Sequence, residues 1–96
     1  MGKIFYTNIS NINIEDINLS MVSQERLDKA NLICDNYKRI QLLVSYLLLK
    51  YAFKTYGIDI STYHFNFNNT KPFFKELTYH FNIHNQFQPL LHLQQP

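Results

Sequence analysis

YKRIQLLVSYLLLKYAFKTY, residues 37–56, is the stretch that decides the fold. Leu43, Tyr46, Leu47, Lys50 and Phe53 recur at the helical period, while Leu42, Leu48 and Leu49 widen the apolar surface well beyond one stripe. A helix this apolar requires cover on several sides. Gly57 follows as the C′ stop, because a residue without Cβ enters the left-handed region most easily. The run from Ile40 to Phe53 is broken by Gln41, Ser45 and Lys50, and it is too short to span a bilayer.

Upstream, Asp35-Asn36 breaks the chain, and Asn36 is the expected cap of the long helix. A first helix is expected after Ser23, a good N-cap, with Glu25 in the first turn where the helix dipole favours a carboxylate. Leu27, Ala30 and Cys34 form its apolar stripe, which makes Cys34 a small core residue. Arg26 and Lys29 lie three apart on another face, where both can reach one anion. Lys3 to Ser10 reads as a strand ended by the Asn-rich stretch Asn8 to Asn13, and Asn18 and Ser20 fall in a turn region. Glu15-Asp16, the adjacent acidic pair, reads as a helix start or a solvated pair.

Downstream, Ser61 to Phe67 reads as a strand, Asn68-Asn69-Thr70 as a turn, Lys71-Pro72 as an extended dipeptide and Thr78 to Ile83 as a further strand. The composition then switches. From His84 to Pro96 there is no Lys, Arg, Asp or Glu, and four of the six glutamines fall here. We therefore divide the chain into 1–83 and an unrelated tail, 84–96, with the character of a different reading frame.

The 96 residues make one small domain or part of a larger one, and a chain this short buries a modest share of its surface. With 46% hydrophobic residues, seven Tyr and eight Phe, it is globular in composition. The net charge of +2 is slight, and the positive residues never form a run of four, so no nucleic-acid tract stands out. One cysteine excludes an internal disulfide, and no Cys/His zinc spacing is present. His80 and His84, four apart on an expected strand, read as core or surface histidines rather than metal ligands. The N-terminus shows no secretion signal, and no membrane partner is indicated; a cytoplasmic location is the expectation.

In order, spacing and residue type, Ser23 to Ile83 resembles the first half of 4'-phosphopantetheinyl transferases of the surfactin-synthetase type. The start Ser23-Gln24-Glu25-Arg26 with Lys29 one turn on is similar to the family's Ser-x-Glu-[Lys/Arg] helix. Leu47-Leu48-Leu49-Lys50-Tyr51-Ala52 matches the Leu-rich helix, and Gly57-Ile58-Asp59 the linker after it. Thr70-Lys71-Pro72 stands for the Gly-Lys-Pro turn, with Thr in place of Gly, and His80-Phe81-Asn82-Ile83 for the strand that runs into Ser-His-[Ser/Thr]. The resemblance covers about two-thirds of this chain but roughly the first half of the family's enzyme.

The resemblance implies an α+β fold: the N-terminal half of the family's pseudo-dimeric architecture, with a strand, two helices and two to three strands. It implies a magnesium-dependent transferase that moves 4'-phosphopantetheine from coenzyme A to a serine of an acyl or peptidyl carrier protein. Arg26, Lys29 and Arg39 then correspond to basic residues near the coenzyme A phosphates, and Lys71-Pro72 to a turn where lysine meets phosphate and proline walls the adenine. The plain alternative for the three helix cations is an ordinary solvated face, and for Lys71-Pro72 an ordinary turn. No catalytic or metal-binding residue is assigned. The family's Asp-x-Glu pair and its later Glu lie beyond the Ser-His strand, whereas here no carboxylate side chain follows Glu76 and the chain has no Trp. Loss of the second half is expected to leave the Leu-rich helix face open to association. The rival reading is a small non-enzymatic helical interaction module.

In place of Ser-His-Ser the chain reads His84-Asn85-Gln86. A thymine before a CA-initial His codon makes TCA, a Ser codon, so a one-base shift permits Ser-Gln-Ser at that point. A deletion near the Ile83 codon accounts for the tail. Sequencing the gene is expected to show an uninterrupted family-like frame downstream, and its absence ends this explanation.

Overall fold

The structure is a computed structural model. It describes residues 2–7, 12–69, 71–77, 79–84 and 90–94, and no side chains at positions 2, 3, 80, 82, 84, 90, 92 and 94. The chain runs β1 (Gly2–Tyr6), two 3-10 turns (Ile14–Asp16 and Leu19–Met21), α1 (Gln24–Asn31), α2 (Asn36–Lys54), then β2 (Asn66–Asn68), β3 (Lys71–Phe73), β4 (His80–His84) and β5 (Leu90–Gln94). It is a small α+β domain; among the described residues there are two α-helices, and four strands follow them where two or three were expected.

Local chemistry sets the helix ends. The Ser23 hydroxyl accepts from the Arg26 N–H (3.4 Å) and starts α1. The cap of α2 is Asp35 rather than Asn36: its carboxylate accepts from the Lys38 N–H (3.0 Å), and Asn36 is already helical. Asp35 holds the extended backbone that a cap needs, at φ −74° and ψ 120°. At the far end Gly57 has φ +75°, its N–H donates to the Lys54 carbonyl (2.9 Å), and the Ile58 N–H donates to the Phe53 carbonyl (3.0 Å). This is the paired-bond C-terminal stop that glycine favours, and it ends α2 at Lys54 rather than Tyr56.

Two other expectations change. Cys34 is exposed, because α1 ends at Asn31 and the apolar stripe is cut before reaching it. Of the expected strand Ser61 to Phe67, only Asn66 and Phe67 lie in a strand, β2; Ser61 to Phe65 does not. Instead the Asp59 carboxylate accepts from the Ser61 N–H (2.9 Å) and the Tyr63 N–H donates to the Ile60 carbonyl (3.0 Å), which curls the chain until Asn66. Glu15-Asp16 is, as expected, an exposed pair at a helix start: both lie in the 3-10 turn Ile14–Asp16, where the Asp16 carboxylate accepts from the Asn13 N–H (2.9 Å). The expected first strand is observed as far as Tyr6; Asn8 to Asn11, and Thr70 in the later turn, lie outside the described residues.

β2 and β3 form a hairpin in which Asn68 pairs with Lys71, entered through Asn69 at φ +59°, a conformation asparagine tolerates better than most residues. The other sheet has the order β1-β5-β4, antiparallel throughout. Its central strand is the last of the described strands in sequence. Leu91 and Leu93 of β5, fully buried at 0% and 1% exposure, join Phe81 of β4 and Leu49, Ala52 and Phe53 of α2 in one core. Composition places a boundary after Ile83, but packing does not: β4 ends on His84 and β5 lies wholly within 84–96.

The Leu-rich helix is therefore already covered. Ile40, Leu43, Val44, Tyr46, Leu49, Ala52 and Phe53 are buried by the chain's own strands and loops, and Leu42, Leu47 and Leu48 are half-buried. No helix among the described residues is long and apolar enough to cross a membrane.

Because Leu91 sits at the centre of this core, Leu91→Ala should cost about 2–5 kcal/mol. Ile4→Ala, on the exposed side of β1, should stay within about 0.5 kcal/mol of the parent. Urea unfolding followed by circular dichroism separates them, and equal effects would remove β5 from the core.

Candidate functional site

Glu25, at the start of α1, ties that helix to the segment entering β2. One carboxylate oxygen accepts from the Phe65 N–H (3.1 Å), and the other lies 3.7 Å from His64 Nδ1. This clasp brings the Phe65 ring under Arg26, whose guanidinium carbon stands 3.6 Å from the ring centroid. One turn on, Lys29 Nζ lies 5.5 Å from the Phe67 ring centroid. Phe65 and Phe67, two apart in an extended segment, share one side of it. Two cations of α1 thus stand over two aromatic faces, a stabilising arrangement whose strength grows as water is excluded.

Between these groups lies a cavity of about 200 Å³. Arg26 and Lys29 line it from α1, Ser45 and Tyr46 from α2, Phe65 and Phe67 from the β2 side, and Pro72 from β3. Of the five residues singled out from sequence, three meet here. Lys71 neighbours Pro72 but is exposed and does not line the cavity. Arg39 does something else. Its guanidinium donates to the Ile33 carbonyl (3.2 and 2.6 Å) and the Ala30 carbonyl (3.3 Å), closing the C-terminal end of α1 where carbonyls lack helical partners. That structural task takes Arg39 out of the cavity group.

Two polar atoms at the cavity wall are buried without a hydrogen-bond partner among the described residues: Arg26 Nε and the Tyr46 hydroxyl. A buried donor left unmatched costs about 1–3 kcal/mol. Burial lowers the Arg26 pKa, opposed by the Glu25 carboxylate, and the guanidinium remains a cation. Burial also raises the Tyr46 pKa above the usual phenol range. The Ser23 side chain opposes that rise without reaching hydrogen-bond geometry, as does the Arg26 charge. The site therefore offers a half-buried guanidinium, an exposed ammonium, a hydroxyl and apolar walls, which together suit an anion attached to a flat or apolar body.

A larger hollow of about 640 Å³ lies beside Met21, Leu47, Lys50, Tyr51, Lys54 and Asp59. Its cations are better matched already. Lys50 Nζ donates to the Met21 carbonyl (3.0 Å). The Asp59 carboxyl is held below its ordinary pKa first by the Ser61 hydroxyl and N–H, then by the Lys50 and Lys54 charges. The smaller cavity is the stronger anion site by chemistry, despite its size. Among the described residues no group of three His, Cys, Asp or Glu side chains is placed to hold a metal ion.

Phe65, Phe67 and Tyr46 were missed as site residues, since aromatic content reads first as core. The usable signal was the Phe65-Asn66-Phe67 alternation downstream of a helix that carries two cations on one face. No known protein family, curated protein or solved structure matches this chain.

Tyr46→Phe tests the buried hydroxyl. With no partner to lose, the substitution should cost under about 1 kcal/mol at neutral pH. In the unfolded chain Tyr46 titrates near pH 10, and in the folded chain higher, so stability is intact below about pH 10 and falls as pH rises through the folded value. The variant lacks this contribution, and its stability should decline less steeply above that pH. Urea midpoints measured across the alkaline range check it; parallel declines would place the hydroxyl in water.

Proposed function

We propose that this chain is the coenzyme A-side half of a 4'-phosphopantetheinyl transferase of the surfactin-synthetase type. The cavity between α1, α2 and the β2–β3 hairpin takes the phosphate end of coenzyme A. The observation that carries this reading is convergence. Arg26 and Lys29 belong to one motif and Pro72 to another, more than forty residues away in sequence, and all three line one cavity. Arg26 and Lys29 would neutralise phosphate charge, and Phe65, Phe67 and Pro72 would supply flat apolar walls for the adenine. Lys71, exposed beside Pro72, would meet phosphate from the rim.

In the family the reaction transfers 4'-phosphopantetheine to a carrier-protein serine and leaves adenosine 3',5'-bisphosphate. Magnesium, held by carboxylates, supplies charge neutralisation at the pyrophosphate. The side chains that would hold it belong to the second half of the family's enzyme, and no carboxylate side chain follows Glu76 here. This chain alone therefore binds weakly and does not transfer. The carrier protein, acyl or peptidyl, would be met by the complete enzyme.

The second reading is a small non-enzymatic interaction module, favoured by one observation: the core closes within the chain, as an autonomous module requires. The same burial takes away most of the Leu-rich helix as its docking surface.

The test is coenzyme A binding, with magnesium, to residues 1–96 and to a version with its reading frame restored. The restored protein is expected to bind and to modify a carrier serine, and the short chain to bind weakly or not at all. Lys29→Ala in the restored protein should weaken binding by roughly tenfold, the loss of one charge-assisted hydrogen bond. If neither protein binds coenzyme A, the transferase reading fails and the interaction module takes its place.

A further inference from the structure

Arg26 of α1 and Tyr46 of α2 flank the same ring at the wall of the smaller cavity. The Arg26 guanidinium carbon stands 3.6 Å from the Phe65 centroid, and the Tyr46 centroid 6.2 Å from it. Each brings one buried polar atom without a partner among the described residues, Arg26 Nε and the Tyr46 hydroxyl. Folded proteins leave few buried polar groups unmatched, so two at one cavity call for a shared partner. That partner is an acceptor. A guanidinium can only donate, and burial keeps the Tyr46 phenol protonated to higher pH than usual. The nearest carboxylate is already committed: Glu25 accepts from the Phe65 N–H (3.1 Å) and lies 3.7 Å from His64 Nδ1.

The cavity also has a direction. Tyr46 is 2% and Phe65 9% exposed, whereas Phe67 is 52% exposed and Lys29 is exposed beside it. The unmatched donors therefore lie at the inner end, and Phe67 and Pro72 form the rim. At about 200 Å³ the space is smaller than the roughly 300–1,000 Å³ that encloses a drug-sized ligand, so it holds one end of a ligand. Donors arriving from two helices suit a group with acceptors in several directions. A phosphate offers three oxygens tetrahedrally, a carboxylate two in one plane.

We propose that the Tyr46 hydroxyl and Arg26 Nε donate to one phosphate group at the inner end of this cavity, with Lys29 as its third partner and the ligand's body lying outward over Phe67 and Pro72. Tyr46 is thereby the residue that selects phosphate over carboxylate. This rests on the cavity assigned above to coenzyme A but not on transfer chemistry, because the three donors hold a phosphate of any source.

The test is a ¹H–¹⁵N titration of the labelled 1–96 chain at constant ionic strength, with inorganic phosphate, adenosine 3',5'-bisphosphate and acetate. The chain has two arginines, so two Nε–H signals report on the site directly. The Arg26 signal is expected to move saturably with both phosphates, at roughly millimolar Kd for inorganic phosphate, and hardly with acetate. The bisphosphate should bind tighter, through the rim. Arg39, whose Nε already donates to the Ile33 carbonyl (3.2 Å), should not respond. Tyr46→Phe should raise both phosphate Kd values at least about tenfold, the loss of a hydrogen bond to a charged acceptor, while its circular dichroism matches the parent. Any of three results overturns the proposal: no saturable shift with either phosphate, equal shifts with acetate, or phosphate binding unchanged by Tyr46→Phe. Tyr46-dependent phosphate binding by a protein that ignores coenzyme A, restored frame included, upholds this site and ends the transferase reading alone.

Discussion

The contact between the apolar face of α2 and the central strand β5 is the constraint on which the rest of this structure depends. α2 carries more apolar surface than one stripe, and such a helix must be covered on several sides or not persist. Leu91 and Leu93 supply the middle of one cover, β1 and β4 flank them, and Phe65 and Phe74 close another side with the ring cluster around Phe53 and Phe81. With α2 held, Arg39 can close the end of α1, and the Glu25 clasp can bring Phe65 beneath Arg26. The cavity is a by-product of that order: it opens where α1, α2 and the β2–β3 hairpin meet without quite filling the space.

The cavity's chemistry comes from a conflict between packing and solvation. The α1–hairpin contact buries a guanidinium over an aromatic ring and leaves its Nε without an acceptor. A hydrophobic residue would pack there without that penalty. The arrangement makes sense if an oxyanion supplies the missing acceptor. It also gives Tyr46, a buried phenol, a reason to be something other than phenylalanine.

Much of the fold was legible in residues 23–57. Ser23 and Gly57 announced both ends of the helical region, because capping is a local interaction carried by a few neighbouring atoms. Cys34 was misplaced because a stripe drawn through it assumes a helix longer than α1, and helix ends are the least certain part of a periodic reading. β5 was not legible at all. Strand pairing is set by partners far away in sequence, and a Gln-rich stretch without charge carried no sign of a partner. Yet the sheet's centre asks little of its sequence: two apolar residues at alternate positions, which Leu91-His92-Leu93 provides. A segment of foreign composition can satisfy that pattern. Of the site, the cations were legible as a pair one turn apart. The aromatic floor was not, since only the fold shows which rings face a cavity rather than fill the core.

The placement of β5 between β1 and β4 has a consequence for how the chain comes into being. Synthesis proceeds from the N-terminus, and β5 emerges after every other described element. Until it does, β1 and β4 have no strand between them, and α2 waits with its main cover incomplete. The native topology thus joins β1 to a strand made after every other described element, a long-range closure of the slow kind. On the ribosome this chain has helices before it has a sheet, so the nascent protein must stay soluble with its most apolar helix still partly unclothed.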